Sequence, residues 1–319
     1  MGTMLLANPV LVKELRGWMR GDRAFVLLTA TLVLLALVSF GLYSMAYTSA
    51  QVSASYGSVV ESAEIGQVLF AGLAFVALGV ICFIAPALTA GAVSGEHERR
   101  TFDLLMATPL HPASMLFGKL TASLSYAFVL LLATVPLASL SYVFGGVTMV
   151  DMLKALLLLL SCTVTFGVIG VFFSAWLRRT VLATVLSYVA LLVLVFGTLF
   201  IWAWVGTTLG YYRSEAAYYW LLVPNPFMAM SSALANVVQF DPKVLGLPLW
   251  CVTVALYTGL TLVLYLASTR LVQLEIRLSK LAKVLVCLIL TVLVMTIVYQ
   301  FYLMTRMPPV FNSTTISLS

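Results

Sequence analysis

Residues 155–176 read ALLLLLSCTVTFGVIGVFFSAW, a stretch that contains no charged side chain. A helix crosses the hydrocarbon core of a lipid bilayer with about 20 consecutive apolar residues. A membrane β-strand would be shorter and would alternate between apolar and polar side chains. The stretch therefore predicts a membrane-spanning α-helix. Its small residues at helical spacing indicate close approach of neighbouring helices; they are Gly167, Gly170, Ser174 and Ala175.

Similar apolar runs recur along the whole chain. The predicted spans are Ala24–Tyr47, Ile65–Ala92, Phe117–Phe144, Ala155–Trp176, Val181–Val205, Leu247–Ser268 and Val284–Met304. Hydrophobic residues make up 62% of the 319 residues and charged residues only 9%, whereas soluble domains are about 25% charged. Such a chain cannot cover a soluble surface with polar groups, so we predict an all-α polytopic membrane protein. Composition excludes a secreted disulfide scaffold, a soluble enzyme with an appended anchor, and a nucleic-acid-binding domain.

Lys and Arg residues divide unequally between alternate connecting segments. If the N-terminus is cytoplasmic, thirteen of the 17 basic residues lie on the inside and four on the outside. The positive-inside rule therefore predicts a multi-pass protein of the cell (plasma or inner) membrane with a cytoplasmic N-terminus. With seven spans, the tail after Met304 lies outside. The net charge of +6 has the same origin, and no nucleic-acid partner is expected.

The predicted spans contain almost no ionisable side chain. Lys119 is the only one within their limits, and it lies close to the end of its span. Proton-coupled and ion-coupled transporters and voltage sensors bind or move charge within the membrane, so they need such groups. The absence of such groups argues against these mechanisms. An ion channel lined by backbone carbonyls does not need ionisable side chains, so it stays open as an alternative. The four cysteines lie in apolar runs and both histidines in one loop, which indicates no metal site.

An amphipathic leader, residues 8–21, precedes the first predicted span. Asn8 can cap a helix that has Pro9 at its first position. One face of this helix is apolar and holds Leu11, Leu15, Trp18 and Met19. Such a helix lies in the plane of the cytoplasmic headgroups. The alternative, that the leader simply precedes the first span as an anchor, stays open.

The loop between the second and third spans, residues 94–112, reads SGEHERRTFDLLMATPLHP. Glu96 and Arg100 are four residues apart, a spacing that suits an ion pair on a helix. Leu104 and Leu105 form an apolar edge before a pair of prolines ends the helix. A charged start with an apolar edge favours a docking helix over a solvated turn.

This loop, the preceding PALTAG (residues 86–91) and the leader NPVLVKELRG (residues 8–17) resemble the permease subunits of ABC-2-type ATP-binding cassette transporters. The segment LVPNPF, Leu222–Phe227, is similar to the Asn-Pro-Phe element of that family. The resemblance covers about residues 8–270. It implies an elbow helix in the leader, a coupling helix in the loop and short helices near the exit between spans five and six.

The resemblance also implies site residues and partners. The residues that would couple to the ATPase are Glu96, Arg99, Arg100, Thr101, Leu104, Leu105, Thr108 and Pro109. The outer re-entrant region would hold Pro224, Asn225, Pro226 and Phe227. Gly118-Lys119 lacks the glycine spacing of a phosphate-binding loop, so we expect no enzyme and no cofactor in this chain. A separate cytoplasmic ATPase would bind ATP and Mg, and a second permease would complete a homodimer or heterodimer.

Three parts follow from this organisation. Residues 1–23 form the cytoplasmic leader, and residues 24–268 form a six-helix transmembrane domain that includes the coupling loop 94–112. Residues 269–319 form a basic linker, an extra transmembrane helix and an outside tail. The leading hypothesis is an ATP-driven exporter of an amphipathic or hydrophobic substrate that works by alternating access. A non-transporting anchor or assembly subunit, or an ion-translocating channel or transporter, is the alternative.

Overall fold

The computed structural model describes residues 22–55, 62–102, 112–209, 219–244 and 246–274. This part of the chain is almost entirely helical. Its helices are α1 (Asp22–Ser55), α2 (Ser62–Thr89), α3 (Ser94–Glu98), α4 (Pro112–Phe144), α5 (Met149–Trp176), α6 (Thr180–Leu192), α7 (Thr198–Leu209), α8 (Pro226–Ala233), α9 (Ala235–Val238) and α10 (Leu249–Leu274). A π-helical segment, Val193–Gly197, joins α6 to α7 without a break.

Two small elements precede α8 and α10. A single 3-10 turn, Trp220–Leu222, leads into α8. The strands β1 (Lys243–Val244) and β2 (Leu247–Pro248) form a short antiparallel hairpin before α10. Gly246 lies in the turn with φ of 77°, a left-handed conformation that glycine adopts without steric cost.

Six helices in the described part are long and apolar enough to cross a membrane. They are α1, α2, α4, α5, the continuous α6–α7 and α10, which confirms the all-α fold and the first six predicted spans. The seventh predicted span, Val284–Met304, and the leader helix lie outside the described residues.

Several helices begin or end away from the predicted limits. Helix α5 begins at Met149 and not at Ala155, because the charged Asp151 belongs to the cap of the helix. Helix α10 begins at Leu249 and not at Leu247, because Leu247 and Pro248 form the second strand. The domain boundaries drawn at residues 24 and 268 both fall inside helices, since α1 starts at Asp22 and α10 continues to Leu274.

Helix α5 is the centre of the bundle and packs against α2, α4 and α10. Nearly all its side chains from Cys162 to Ala175 are buried. Two glycines permit this close packing, as the small-residue pattern predicts. A Cβ atom on Gly167 would lie 2.6 Å from the side chain of Leu124 on α4, and one on Gly170 would lie 3.2 Å from the Pro86 carbonyl oxygen on α2.

Successive long helices run in opposite directions, so the bundle has two ends. At the end that carries α3, the Tyr265 hydroxyl of α10 donates to the Ala113 carbonyl oxygen at the start of α4, over 2.8 Å. At the opposite end, Gln67 near the start of α2 donates to the Gly146 carbonyl oxygen after α4, over 3.1 Å. Most basic side chains in the described part lie at the α3 end; they are Arg99, Arg100, Lys119, Arg178, Arg179 and Arg270, against Lys154 and Lys243 at the opposite end.

Candidate functional site

The chain that surrounds α3, residues 90–102, is bonded to the end of α5; we call it the α3 turn. The Ser174 hydroxyl oxygen accepts the backbone N–H groups of Val93 and Ser94 over 2.9 and 3.0 Å. All three residues are buried. The first N–H groups of a helix have no partner within the helix, so α5 supplies the acceptor that the start of α3 needs.

The α3 turn in turn caps α6. The Glu98 carboxylate oxygen Oε1 accepts the backbone N–H of Thr180, the first residue of α6, over 2.8 Å. Arg179, at the N-cap position of α6, makes no side-chain capping bond, so Glu98 takes that role from a distant part of the chain. A carboxylate at a helix N-terminus also interacts favourably with the helix dipole. Glu98 therefore fixes the position of α3 relative to α6.

Glu96 connects the α3 turn to α4. Its carboxylate oxygen Oε1 lies 2.7 Å from Lys119 Nζ, and only 5% of the Lys119 side chain is exposed. The Thr101 hydroxyl donates to the other carboxylate oxygen of Glu96. Burial of an ammonium group is costly unless a carboxylate pairs with it. The one ionisable residue within the predicted spans is therefore the anchor of this turn on α4.

The ion pair that spacing predicts between Glu96 and Arg100 is not formed. Helix α3 ends at Glu98, and Arg100 has a φ of 56°, which turns the chain out of the helix. Within the described residues Glu96 pairs with Lys119 instead. The i, i+4 spacing was misleading because the helix is only five residues long.

The structure brings together half of the residues that the resemblance assigns to the coupling loop. Glu96 and Thr101 are partly buried and bonded to each other, while Arg99 and Arg100 are exposed at the tip of the turn. The other residues assigned to that loop lie outside the described residues; they are Leu104, Leu105, Thr108 and Pro109. The same holds for the elbow-helix residues Leu11, Leu15, Trp18 and Met19.

Asn225 is the central residue of the second predicted region, and it is completely buried. Its side-chain oxygen accepts the backbone N–H groups of Phe227 and Met228 over 3.0 and 3.1 Å, which caps α8. Its side-chain nitrogen donates to the Val195 carbonyl oxygen over 2.8 Å and to the Thr198 hydroxyl oxygen over 2.9 Å. The side-chain amide of Asn225 thus forms hydrogen bonds both to the start of α8 and to the span formed by α6 and α7.

The Asn225 contact falls on the π-helical segment between α6 and α7. A π-helical turn is wider than an α-helical turn and disturbs the regular pattern of backbone bonds, and such turns occur frequently at functional sites. Val195 lies in the middle of this segment, and its carbonyl oxygen accepts the Asn225 amide. The segment and Asn225 therefore form one structural unit.

Neighbouring residues hold this unit against the other helices. The Tyr257 hydroxyl of α10 donates to the Pro224 carbonyl oxygen over 2.8 Å. The ring of Phe227 is parallel to that of Phe75 on α2, with centroids 6.5 Å apart. Pro226 is the first residue of α8, where its missing N–H costs nothing. The predicted segment Pro224–Phe227 thus starts a short helix packed inside the end of the bundle opposite α3.

Sequence reasoning missed a buried polar cluster at that same end. Thr148 and Asp151 form a capping box at the start of α5, and Asp151 is almost fully buried. Lys154 Nζ lies 3.1 Å from Asp151 Oδ1, and the Asn236 amide of α9 donates to the same oxygen over 3.1 Å. The Thr-x-x-Asp pattern is the sequence signal that could have identified the cap. The pairing with Asn236 has no local signal.

Metal ligands do not cluster in the part of the chain that the structure describes. Groups of three or more His, Cys, Asp or Glu side chains able to hold a metal ion are absent there.

Comparison with known proteins identifies the family. The sequence model described as "ABC-2 family transporter protein" matches residues 9–307 of this chain. A search of curated proteins finds no match. The family match covers nearly the whole sequence, including every described helix, and six described helices are able to span a membrane. The chain therefore belongs to the ABC-2 transporter family, as a multi-pass permease subunit of an ATP-binding cassette transporter.

Proposed function

We propose that this permease works with a separate cytoplasmic ATPase and a second permease chain to export an amphipathic or hydrophobic substrate across the cell membrane. The ATPase would bind ATP and Mg, because this family supplies the transmembrane component and not the catalytic one. The bonding of the α3 turn to three long helices is the observation that carries the proposal for coupling.

The α3 turn has the contacts that a coupling element needs. Glu96 bonds to α4, Ser94 to α5 and Glu98 to α6, while Arg99 and Arg100 remain exposed. A partner that moves the exposed tip would therefore move three spans together. Packed helices change between a few discrete arrangements and do not deform continuously, so this displacement supports alternating access.

The α3 end would face the cytoplasm. The basic residues of the described part concentrate at that end, in agreement with the positive-inside rule. An ATPase of the cytoplasm would then meet Arg99 and Arg100, and the Asn225 region would lie on the outer side.

The polar groups of the described spans support the proposed substrate class. Most hydroxyls in the described spans bond back to carbonyl oxygens of their own helix, as Ser39 does to Leu35, Thr163 to Leu159 and Ser187 to Ala183. Such hydroxyls offer little to replace the hydration of an ion. An amphipathic or hydrophobic substrate needs no such replacement, and we propose this class for that reason.

The test combines the permease and its ATPase in liposomes. Changing Leu104 and Leu105 together to Asp should leave membrane insertion intact but remove ATPase copurification, because an unpaired charge buried at an interface is costly. Changing both to Met keeps the apolar edge and serves as the matched control. ATP turnover of the wild-type complex should rise with amphipathic compounds. Unchanged ATPase binding and export by the double Asp variant would refute the docking assignment.

The same assay separates the alternatives. An ATPase that binds without any response to amphipathic compounds would indicate an anchor or assembly subunit. Stimulation by Na⁺ or another small ion alone would indicate an ion pathway lined by backbone carbonyls.

A further inference from the structure

A cavity of about 190 Å³ lies between α2, α4 and α5, in the half of the bundle opposite α3. Its wall includes Ala74 and Ala77 from α2, Val135 and Ala138 from α4, and Met152 and Leu153 from α5. None of these residues belongs to the α3 turn or to the Asn225 region.

Small side chains create this cavity. Alanines of all three helices face it, so the helix axes approach while the space between them stays unfilled. Pro136 lies within α4 between two of the lining residues and removes one backbone N–H from the helix. Interiors of proteins are usually packed as densely as organic crystals, and voids larger than a water molecule are few. A space of this size is therefore large enough to hold a ligand.

The cavity opens on the outer surface of the bundle. Met149 and Leu153, both in its wall, are 69% and 56% exposed. The helices involved cross the membrane, so these side chains face lipid or another membrane protein. Entry is therefore lateral, from the hydrocarbon layer.

The wall excludes polar ligands. Thr134 is its one polar residue, and the Thr134 hydroxyl donates to the Leu131 carbonyl oxygen of its own helix over 2.7 Å. The charged pair at the start of α5 takes no part, since Asp151 pairs with Lys154 and with Asn236 of α9. A water molecule needs two to four polar partners to occupy a cavity, and this wall does not provide them.

We propose that this cavity binds one acyl chain of a bilayer lipid. An apolar cavity of about 150 Å³ is known to take up benzene, so the space here fits a chain segment of roughly six to eight carbon atoms. The chain wedges between α2, α4 and α5 as a resident part of the folded protein. It is not the exported substrate, so it stays in place during ATP turnover.

Native mass spectrometry of the full-length permease in mild detergent tests the proposal. We expect wild-type protein to retain about one lipid per chain. Changing Ala74 to Leu, or Ala138 to Leu, fills the cavity and should reduce this occupancy at least fivefold. Ala255 is exposed on α10, so Ala255→Leu makes the same change away from the cavity and should retain the lipid. Equal retention in all four proteins would overturn the proposal.

A photoactivatable acyl lipid provides a second test that needs no variant. With wild-type protein, cross-links should concentrate on peptides that contain residues 134–138 and 149–156. Cross-links spread evenly over α1 and α10 would contradict the site. The complex with its ATPase distinguishes a resident lipid from cargo, because ATP turnover should leave the retained lipid in place. Release of that lipid by ATP would also overturn the proposal, and would leave the proposed export function standing.

Discussion

The Lys119 side chain is almost completely buried, and it pairs with the Glu96 carboxylate. Removal of one partner from a buried ion pair costs more than removal of both, because it leaves an uncompensated charge. We therefore expect the double variant of Glu96→Gln and Lys119→Met to lose less stability than the sum of the losses of the two single variants. The coupling energy should be about 1–3 kcal/mol.

Thermal unfolding of the four proteins in the same detergent measures this double-mutant cycle. A double variant whose loss of stability equals the sum of the two single losses would show that the pair contributes nothing to the anchoring of the α3 turn. The chemically similar pair Lys154 and Asp151, at the opposite end, serves as a comparison within the same chain.

Gly170 and Gly79 provide a matched pair for the packing of α2 against α5. A Cβ atom at Gly170 would contact the Thr89 hydroxyl and lie 3.2 Å from the Pro86 carbonyl oxygen, whereas one at Gly79 meets nothing within 4 Å. We expect Gly170→Ala to lower the free energy of unfolding by about 1–3 kcal/mol through overpacking. Gly79→Ala should raise it by up to about 1 kcal/mol through helix propensity. Equal melting temperatures for both variants would contradict this close approach.

The sequence predicted the importance of single residues unevenly. The close helix contact at Gly170 could be predicted, because small residues at helical spacing within a span indicate a helix contact. The partner of Glu96 could not be predicted. Spacing along the chain indicated Arg100, whereas in the folded structure Glu96 pairs with Lys119, 23 residues away. Local patterns report local geometry, and contacts between distant helices depend on packing that no short pattern contains.

At the scale of elements, the Asn225 amide joins the π-helical segment to α8. Asn225→Ala would leave the buried Val195 carbonyl oxygen without its amide donor and would remove the cap of α8. The Thr198 hydroxyl still donates to this oxygen over 3.1 Å, so the change removes one of its hydrogen bonds and not all of them. Loss of a cap costs about 1 kcal/mol and loss of one hydrogen bond about 0.5–1.5 kcal/mol, so we expect a loss of about 1.5–2.5 kcal/mol in stability. Faster amide hydrogen exchange in residues 193–209 should accompany it.

Asn225→Ser is the informative control, because serine keeps the capping acceptor but cannot reach as far as the amide nitrogen does. It should retain most of the α8 cap and still show faster exchange in the π-helical segment. If Asn225→Ala exchanges at the wild-type rate there, the amide does not hold this segment in its π-helical form.

Element boundaries show what hydropathy can and cannot predict. It identified the six described spans because a helix in lipid needs a long apolar run. It placed the start of α5 at Ala155, since Asp151 and Lys154 look like a polar loop, although the fold buries Asp151 in the capping box. The π-helical segment has no hydropathy signal, because its residues are as apolar as the rest of the span.

For the molecule as a whole, the alternating direction of the spans could be predicted, but which helices pack against one another could not. Each span must reverse direction after crossing, so sequence order alone places the loops at alternate ends. The central position of α5 depends on which helix has enough small residues to accept neighbours on all sides. The small residues within residues 155–176 indicated close helix contacts, but they predicted neither the central position of α5 nor its partners α2, α4 and α10.

The last prediction concerns which end of the bundle faces the cytoplasm. Basic residues concentrate at the α3 end, and positively charged loops remain in the cytoplasm during insertion. Arg179 and Lys243 are exposed at opposite ends of the bundle. In a background without the native cysteines, an impermeant maleimide should label Lys243→Cys in intact cells and Arg179→Cys only after permeabilisation.

The same experiment tests the seventh predicted span. If Val284–Met304 crosses the membrane, Ser313→Cys should be labelled from outside together with Lys243→Cys. Labelling of Ser313→Cys only after permeabilisation would mean that this run does not cross, and both ends of the chain would then be cytoplasmic. Labelling of Arg179→Cys in intact cells would instead reverse the whole orientation. An ATPase of the cytoplasm could then not reach the α3 turn, so the proposed coupling depends on this result.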